Sequence, residues 1–459
     1  MASIDHAYHY LAASSLSADT RPRLALATSA PAGGHPHFFD GALKAPQLSA
    51  QLLSAVHLIV GARFFTPPNT LARQIALADP VVTCGGGMLR FEGFSACCSA
   101  YIRLDMLPAA YDGEVVGKGS TNVDFNAPMR AALARVRDAD GLALSVGRDA
   151  LHLRSGASEV IERKVALPLR WVRGMLEVQA YQAAMRKRIE ASPMEAIRFL
   201  RGLPRASTSK TPLWALAGVG GLRTTTLPDA AGGHGVRIAD TSRLRVLESL
   251  TLKARSLTVY ADDAQQASAW VLDFGAMRLT LVLSAEVWRG FSGEGQALRA
   301  LMQGVDQGAL AQVRASLHWQ PTLDAALLAG QLGIERACVE QALCLLGANG
   351  LAGFDVVEGA YFHRVLPFDL AIVEDMHPRL AAARALLDAG AVRLLRQAPL
   401  EASVEGSGAV HRVRGPGGDS GGELVCTCPW YAKYQGQRGP CKHVLAVEGF
   451  QGRQTEQAS

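Results

Sequence analysis

The sequence predicts an α+β multidomain chain. It reads as a mixed α/β N-terminal body, a strand-rich middle, a winged-helix-like segment and a C-terminal ββα module. Three observations carry that reading. The 459 residues suffice for two to four domains of roughly 100–200 residues each, and 49% of them are apolar, enough for sizeable cores. Helical and alternating apolar periods succeed one another along the chain. Three Cys and one His crowd into the 18 positions from Cys426 to His443.

Taken in order, residues 1–205 form the expected N-terminal domain. Leu48, Leu52, Leu53, Val56 and Ile59 recur at helical spacing, as do Met129, Ala132, Leu133 and Val136. Leu142, Leu144 and Val146 alternate, then Leu151 and Leu153, and Gly147-Arg148-Asp149 between them predicts a hairpin. Trp171 to Ile189 reads as one long helix, and Pro193 opens another at its first position. The Ser/Thr-rich stretch Ala206–Pro212 reads as a linker into a strand-rich middle domain, 206–315, where Leu257–Tyr260 and Trp270–Leu283 carry β-branched and aromatic residues. No internal repeat is visible.

Residues 316–370 change character. Leu328, Leu332, Ile334, Val339, Leu343 and Leu346 fit a helix-turn-helix, with Leu351–Asp355 and Ala360–Arg364 as the strands of a wing. Its would-be recognition helix carries Glu335, Arg336, Glu340 and Gln341. Phosphate contacts need Lys and Arg, so this face is expected to pack on protein. A connecting helix follows within 371–399, with Pro378 at its start, Leu380 and Leu387 on one face and Gly390 past its end.

The charge balance is mild. A net charge of +5 and a pI near 8.8 fall short of a dedicated nucleic-acid binder. Met1–Tyr8 lacks a basic region leading into an apolar one, and the apolar windows Leu52–Val60 and Leu279–Leu283 are shorter than the roughly 20 residues that span a bilayer. A cytoplasmic protein with no membrane contact is expected, its eight Cys reduced, so that clustered Cys read as metal ligands. Cys84-Gly85-Gly86-Gly87 is not followed by the Gly-Lys-Ser/Thr of a phosphate loop. Cys97 and Cys98, placed on a strand, would face opposite sides and read as small buried apolar residues. Asn122, Asp124 and Asn126 read as a polar face and a helix cap. No nucleophile–base pair or open metal site suggests an enzyme.

The C-terminal pattern is sharper. Cys426-Thr-Cys428-Pro-Trp is separated by twelve residues from Cys441-Lys-His443. An i, i+2 pair points to one side in extended chain, whereas in a helix it would point roughly 200° apart. Cys426 and Cys428 therefore belong at a strand end that Pro429 stops. Cys441 belongs at the Gly439-Pro440 turn, with His443 in the first turn of a helix whose apolar side is Val444, Leu445 and Val447 and whose end Gly449 marks. Two such pairs close a tetrahedral Cys₃His set for Zn²⁺ with no open position. Three thiolates around Zn²⁺ leave one negative charge; Lys433, Arg438 and Lys442 lie close in sequence, and no acid occurs from Val425 to Val447.

This C-x-C-x(n)-C-x-H pattern, preceded by strands at Ala402–Ser407 and Val410–Val413 and a Gly-rich tip at Gly415–Gly422, resembles the SWIM zinc finger over about residues 400–453. Upstream, Leu89–Cys98, Ser120–Asn126, Pro168–Trp171 and His377–Leu380 resemble a bacterial family of SWIM proteins. That resemblance implies protein partners of the MoxR-type AAA ATPase and von Willebrand A-type classes, and brings no reaction with it. The leading expectation is a zinc-binding, non-enzymatic scaffold that engages protein through its finger. The second is a nucleic-acid (DNA) binder stacking bases on Trp430, Tyr431 and Tyr434 beside Lys433, Arg438 and Lys442. The third is an enzyme with an N-terminal site not apparent in the sequence.

Overall fold

The computed structural model describes residues 15–16, 23–26, 37–65, 80–115, 117–122, 130–131, 133–147, 169–205, 212–218, 220–227, 234–288, 290–291, 296–302, 305–366, 378–406, 408–415, 424–436 and 438–458. Its centre is an eight-stranded antiparallel sheet. The strand order is Arg186–Ala191, Ser256–Ala261, Ala267–Asp273, Met277–Ser284, Ala100–Met106, Met88–Phe94, Val81–Gly85 and Gly119–Asn122. Strands Met88–Phe94, Ala100–Met106 and Met277–Ser284 are buried along their whole length, because helices or hairpins cover both faces.

The expected boundary at 205/206 runs through this sheet. Met277–Leu283 pairs in register with Met106–Ala100, and one apolar core extends from Phe39 to Leu366. Strand pairing over such distances leaves no local signature, so composition alone placed the break wrongly. The pairing also reveals an order of elements repeated within the sheet. Helix Pro46–Gly61 precedes the meander of Val81–Gly85, Met88–Phe94 and Ala100–Met106. The helix Arg245–Thr251 precedes the meander of Ser256–Ala261, Ala267–Asp273 and Met277–Ser284. The third strands of the two meanders pair with each other, and the two helices touch.

Several local expectations hold. The helical spacing from Leu48 to Ile59 gives Pro46–Gly61. Pro193 opens Pro193–Gly202 as expected, and the structure adds a reciprocal cap: Ser192 Oγ accepts from the Glu195 N–H at 3.4 Å while Glu195 Oε2 accepts from the Ser192 N–H at 2.9 Å. The long helix expected over Trp171–Ile189 ends sooner: it spans Leu169–Ala183, and Arg186–Ala191 is an edge strand with Ile189 and Ala191 buried. Pairing with Ser256–Ala261 overrides the helical period there. The alternating Leu142–Val146 is the strand Ala143–Gly147, but it pairs with Arg23–Leu26 and His37–Leu43. Residues 148–168, where its expected hairpin partner falls, lie outside the described residues, as do Asp124, Asn126, Met129 and Ala132.

Residues 307–363 supply helices Gln307–Ala315, Ala325–Leu332 and Arg336–Ala348 and the hairpin Ala352–Asp355/Ala360–His363, with a bridge from Leu323 to Tyr361. They keep a small core of their own around Val313, Val339, Leu343 and Leu346. The hairpin's polar side is docked on the central sheet. Asp355 pairs with Arg90 and Arg103 at 3.2 Å each, Arg364 pairs with Glu92, and Arg103 Nη1 donates to the Phe354 carbonyl at 2.7 Å. All five charged side chains are sealed from solvent. The Phe362 ring lies beneath Arg90, 3.8 Å from its guanidinium carbon.

The C-terminal unit is a four-stranded sheet, Val392–Arg396, Glu401–Gly406, Ala409–Arg414 and Val425–Cys426 in that order, with helices Pro378–Asp388, Pro429–Tyr434 and Lys442–Ala458. Pro378–Asp388, expected as a connector, lends Leu380, Ala383 and Leu387 to this unit's core. So does Gln296–Met302, through Leu298 and Met302. No helix among the described residues is long and apolar enough to cross a membrane.

Candidate metal centre

Strand Val425–Cys426 is held by pairing with Val413–Arg414. Cys428 is the cap of the following helix, with Pro429 at its first turn, and its sulfur accepts from the Tyr431 N–H at 3.4 Å. On the other side, Gly439 adopts φ +68°. Arg379 holds that turn by donating to the carbonyls of Arg438 at 2.7 Å and Pro440 at 3.0 Å. Cys441 then precedes Lys442–Ala458, and its sulfur accepts from the Val444 N–H at 3.5 Å. His443 follows in the first turn, with Nδ1 3.8 Å from the Cys426 sulfur.

The four ligand atoms of Cys426, Cys428, Cys441 and His443 lie within 4.8 Å of one another, and all four residues are buried. Among the described residues no other such group of three or more appears. The electrostatics show what the site lacks without a cation. Cys426 is pushed far up by its hydrogen bond to Cys441, and Cys428 is raised by burial. Cys441 is pushed down to about 4 by the bond from Cys426. Crowding and burial thus oppose ionisation of all three sulfurs together. A divalent cation lets all three ionise, and three sulfurs with one imidazole nitrogen form a closed structural set for Zn²⁺. The backbone donors on Cys428 and Cys441 favour thiolate there.

Residues 411–451 match the SWIM zinc finger. With the Cys426/Cys428/Cys441/His443 cluster inside it, the SWIM finger fits Zn²⁺ binding. No curated protein matches the chain. Among solved structures, the chain is similar to proliferating cellular nuclear antigen from Entamoeba histolytica, with 12% identity over 54% of this chain and 98% of that one and a TM-score of 0.31.

The SWIM finger departs from expectation in one respect. Gly449 does not end its last helix, which runs on to Ala458. Gly449 is where that helix meets Gln296–Met302: a Cβ there would stand 2.7 Å from Met302 Cε and 2.9 Å from Leu387 Cδ1. The signal of a helix-ending glycine and that of a close helix crossing look alike in sequence. His411 was not foreseen at the centre, yet its ring lies 4.4 Å from that of His443. His443 Nε2, buried and without a hydrogen-bond partner among the described residues, lies beside Gly406, where a Cβ would be 4.0 Å away.

Four of the six expected contact residues come together. Trp430 and Tyr434 meet at 4.5 Å between ring centres, Lys433 lies over Tyr434 at 5.2 Å, and Arg438 lies over Tyr434 at 4.4 Å. Two more join from outside the finger, with no local signal to find them: Trp288, 5.3 Å beneath Arg438, and Arg379, 5.0 Å over Trp430. Tyr431 packs toward the finger's core, and Lys442 opens the last helix beside Cys441.

Cys97 and Cys98 sit in the turn between Met88–Phe94 and Ala100–Met106, not on a strand, and both are buried. Cys98 adopts φ +56°. Burial pushes the Cys97 thiol up, but contacts to Ser99 Oγ at 3.2 Å and Ser95 Oγ at 3.5 Å outweigh it and hold it below the ordinary range.

Proposed function

We propose that the protein is a non-enzymatic scaffold whose zinc-bound SWIM finger engages protein partners in the cytoplasm. The observation that carries this reading is the state of the aromatic faces. Base stacking needs open rings, and the rings of Trp430 and Tyr434 are already overlain by the chain's own Arg379, Lys433 and Arg438. The hairpin of the winged-helix-like segment supports the same reading. A nucleic-acid wing must be free, and this one is docked by Asp355 and Arg364 on buried partners. The finger region, residues 401–459, also balances six basic residues against six acidic ones.

By the resemblance of the upstream segments, a MoxR-type AAA ATPase and a von Willebrand A-type protein are the proposed partners. The test is affinity capture from the native host with nuclease present, comparing the wild-type chain with Cys428→Ser. Proteins retained by the wild type and lost from the variant support the reading. Capture that vanishes with nuclease would move the finger to the nucleic-acid reading.

A further inference from the structure

We infer that the finger's contact surface is a composite, built jointly with Trp288 of the body, and that it receives an acidic, carboxylate-bearing segment of a protein partner. The inference rests on the protein-binding reading above and names the chemistry of its partner.

Arg438 is the centre of this surface. Its guanidinium lies over two rings from distant parts of the chain, Trp288 at 5.3 Å and Tyr434 at 4.4 Å. Its own carbonyl is fixed by Arg379 at 2.7 Å. Both ends of the residue are therefore positioned before any partner arrives. Lys433 lies over Tyr434 at 5.2 Å and is exposed. Trp288 is 42% exposed.

Among the described residues neither Lys433 nor Arg438 has an acid within ion-pair distance, although four other arginines near the finger do. Arg299 pairs with Glu448, Arg412 and Arg414 with Glu401, and Arg453 with Asp388. An arginine stacked on aromatic faces keeps its fork of N–H donors for a planar bidentate acceptor. Stacking spends the ring faces, so what remains on offer is charge and N–H edges beside a patch of indole. A carboxylate flanked by apolar side chains matches both. A base does not, because it needs the faces.

The test uses the full-length, zinc-loaded protein and three labelled probes: oligoglutamate, oligothymidylate of matched charge, and oligolysine. Oligoglutamate is expected to bind at low salt and to weaken as salt rises, with oligolysine inert. The double substitution Lys433→Gln/Arg438→Gln should cut its affinity at least about tenfold, since a hydrogen bond to a charged group is worth slightly more than a tenfold step. Trp288→Ala should weaken it by a smaller factor, with zinc content unchanged in every variant. Oligoglutamate that fails to bind, or binds the variants as well as the wild type, overturns the inference. Preference for oligothymidylate overturns it in favour of nucleic acid. If nuclease-resistant, Cys428-dependent capture of proteins persists while oligoglutamate fails, only the acidic chemistry falls. If both fail, the protein-binding reading falls with it.

Discussion

Asp355, in the hairpin after the third helix of the winged-helix-like segment, lies 3.2 Å from Arg103 in the middle of the central sheet, and both side chains are sealed from solvent. Arg90 approaches the same carboxylate from the neighbouring strand at 3.2 Å. The two cations hold Asp355 far below the usual carboxylate range against the opposing effect of its burial. Removing one member of such a network leaves uncompensated buried charge, which costs about 3–5 kcal/mol. Asp355→Ala is therefore expected to lower stability by about that amount in urea unfolding. Arg336→Ala, which removes an exposed i, i+4 pair with Glu340, should change it by less than about 0.5 kcal/mol.

Metal content should be one zinc per chain by elemental mass spectrometry. Cys428→Ser and Cys441→Ser each open the closed ligand set and are expected to lose it. Paired substitution of Cys97 and Cys98 should leave zinc unchanged, because neither belongs to the ligand group. Full zinc in both finger variants would sink the ligand assignment.

Chelation should loosen more than the ligand-bearing segment. Structural zinc is worth about 10–16 kcal/mol in finger peptides, and the finger's core is shared with Leu298, Met302, Leu380 and Leu387. Hydrogen exchange after chelator treatment is expected to rise from about Pro378 onward and in Gln296–Met302, with the central strands still protected. Rapid exchange confined to residues after 400 would mean that the helix Pro378–Asp388 stands without the metal.

His363 gives the winged-helix-like segment a pH dependence. It is buried, stacked on Trp319 at 4.7 Å, and its Nδ1 accepts from the Trp319 N–H at 2.8 Å. Burial, assisted by His318, lowers its pKa to about 4 from an ordinary 6.5. The unfolded chain takes up a proton near 6.5 while the folded chain resists until about 4. The stability from the neutral ring is therefore complete above about 6.5 and is lost as pH falls toward 4. His363→Gln removes this titration. The gap in urea midpoint between wild type and variant, at equal zinc loading, should narrow over that window; a constant gap would refute the assignment.

Legibility in the sequence followed the range of the interactions involved. The ligand spacing of Cys426, Cys428, Cys441 and His443 depends on strand end, proline stop and helix start within a few residues, and each was readable. So were the helix start at Pro193 and the hairpin from Ala352 to His363. What escaped depends on contacts between distant segments: Met277–Leu283 lying against Met106–Ala100, Arg186–Ala191 drawn into a strand, Gly449 serving a helix crossing, and Trp288 arriving beneath Arg438. In each of these the local residues permit two outcomes, and a partner far away in the chain selects one.

The pairing of Met277–Leu283 with Met106–Ala100 bears on how this protein can be divided. A fragment ending near residue 205 would keep Ala100–Met106 with its outer edge bare, and the remainder would carry Met277–Ser284 in the same condition. Both strands are buried end to end, and long unpaired edges of this kind recruit other chains. Each half expressed alone should precipitate, whereas the two halves produced together should rescue one another by re-forming the seam.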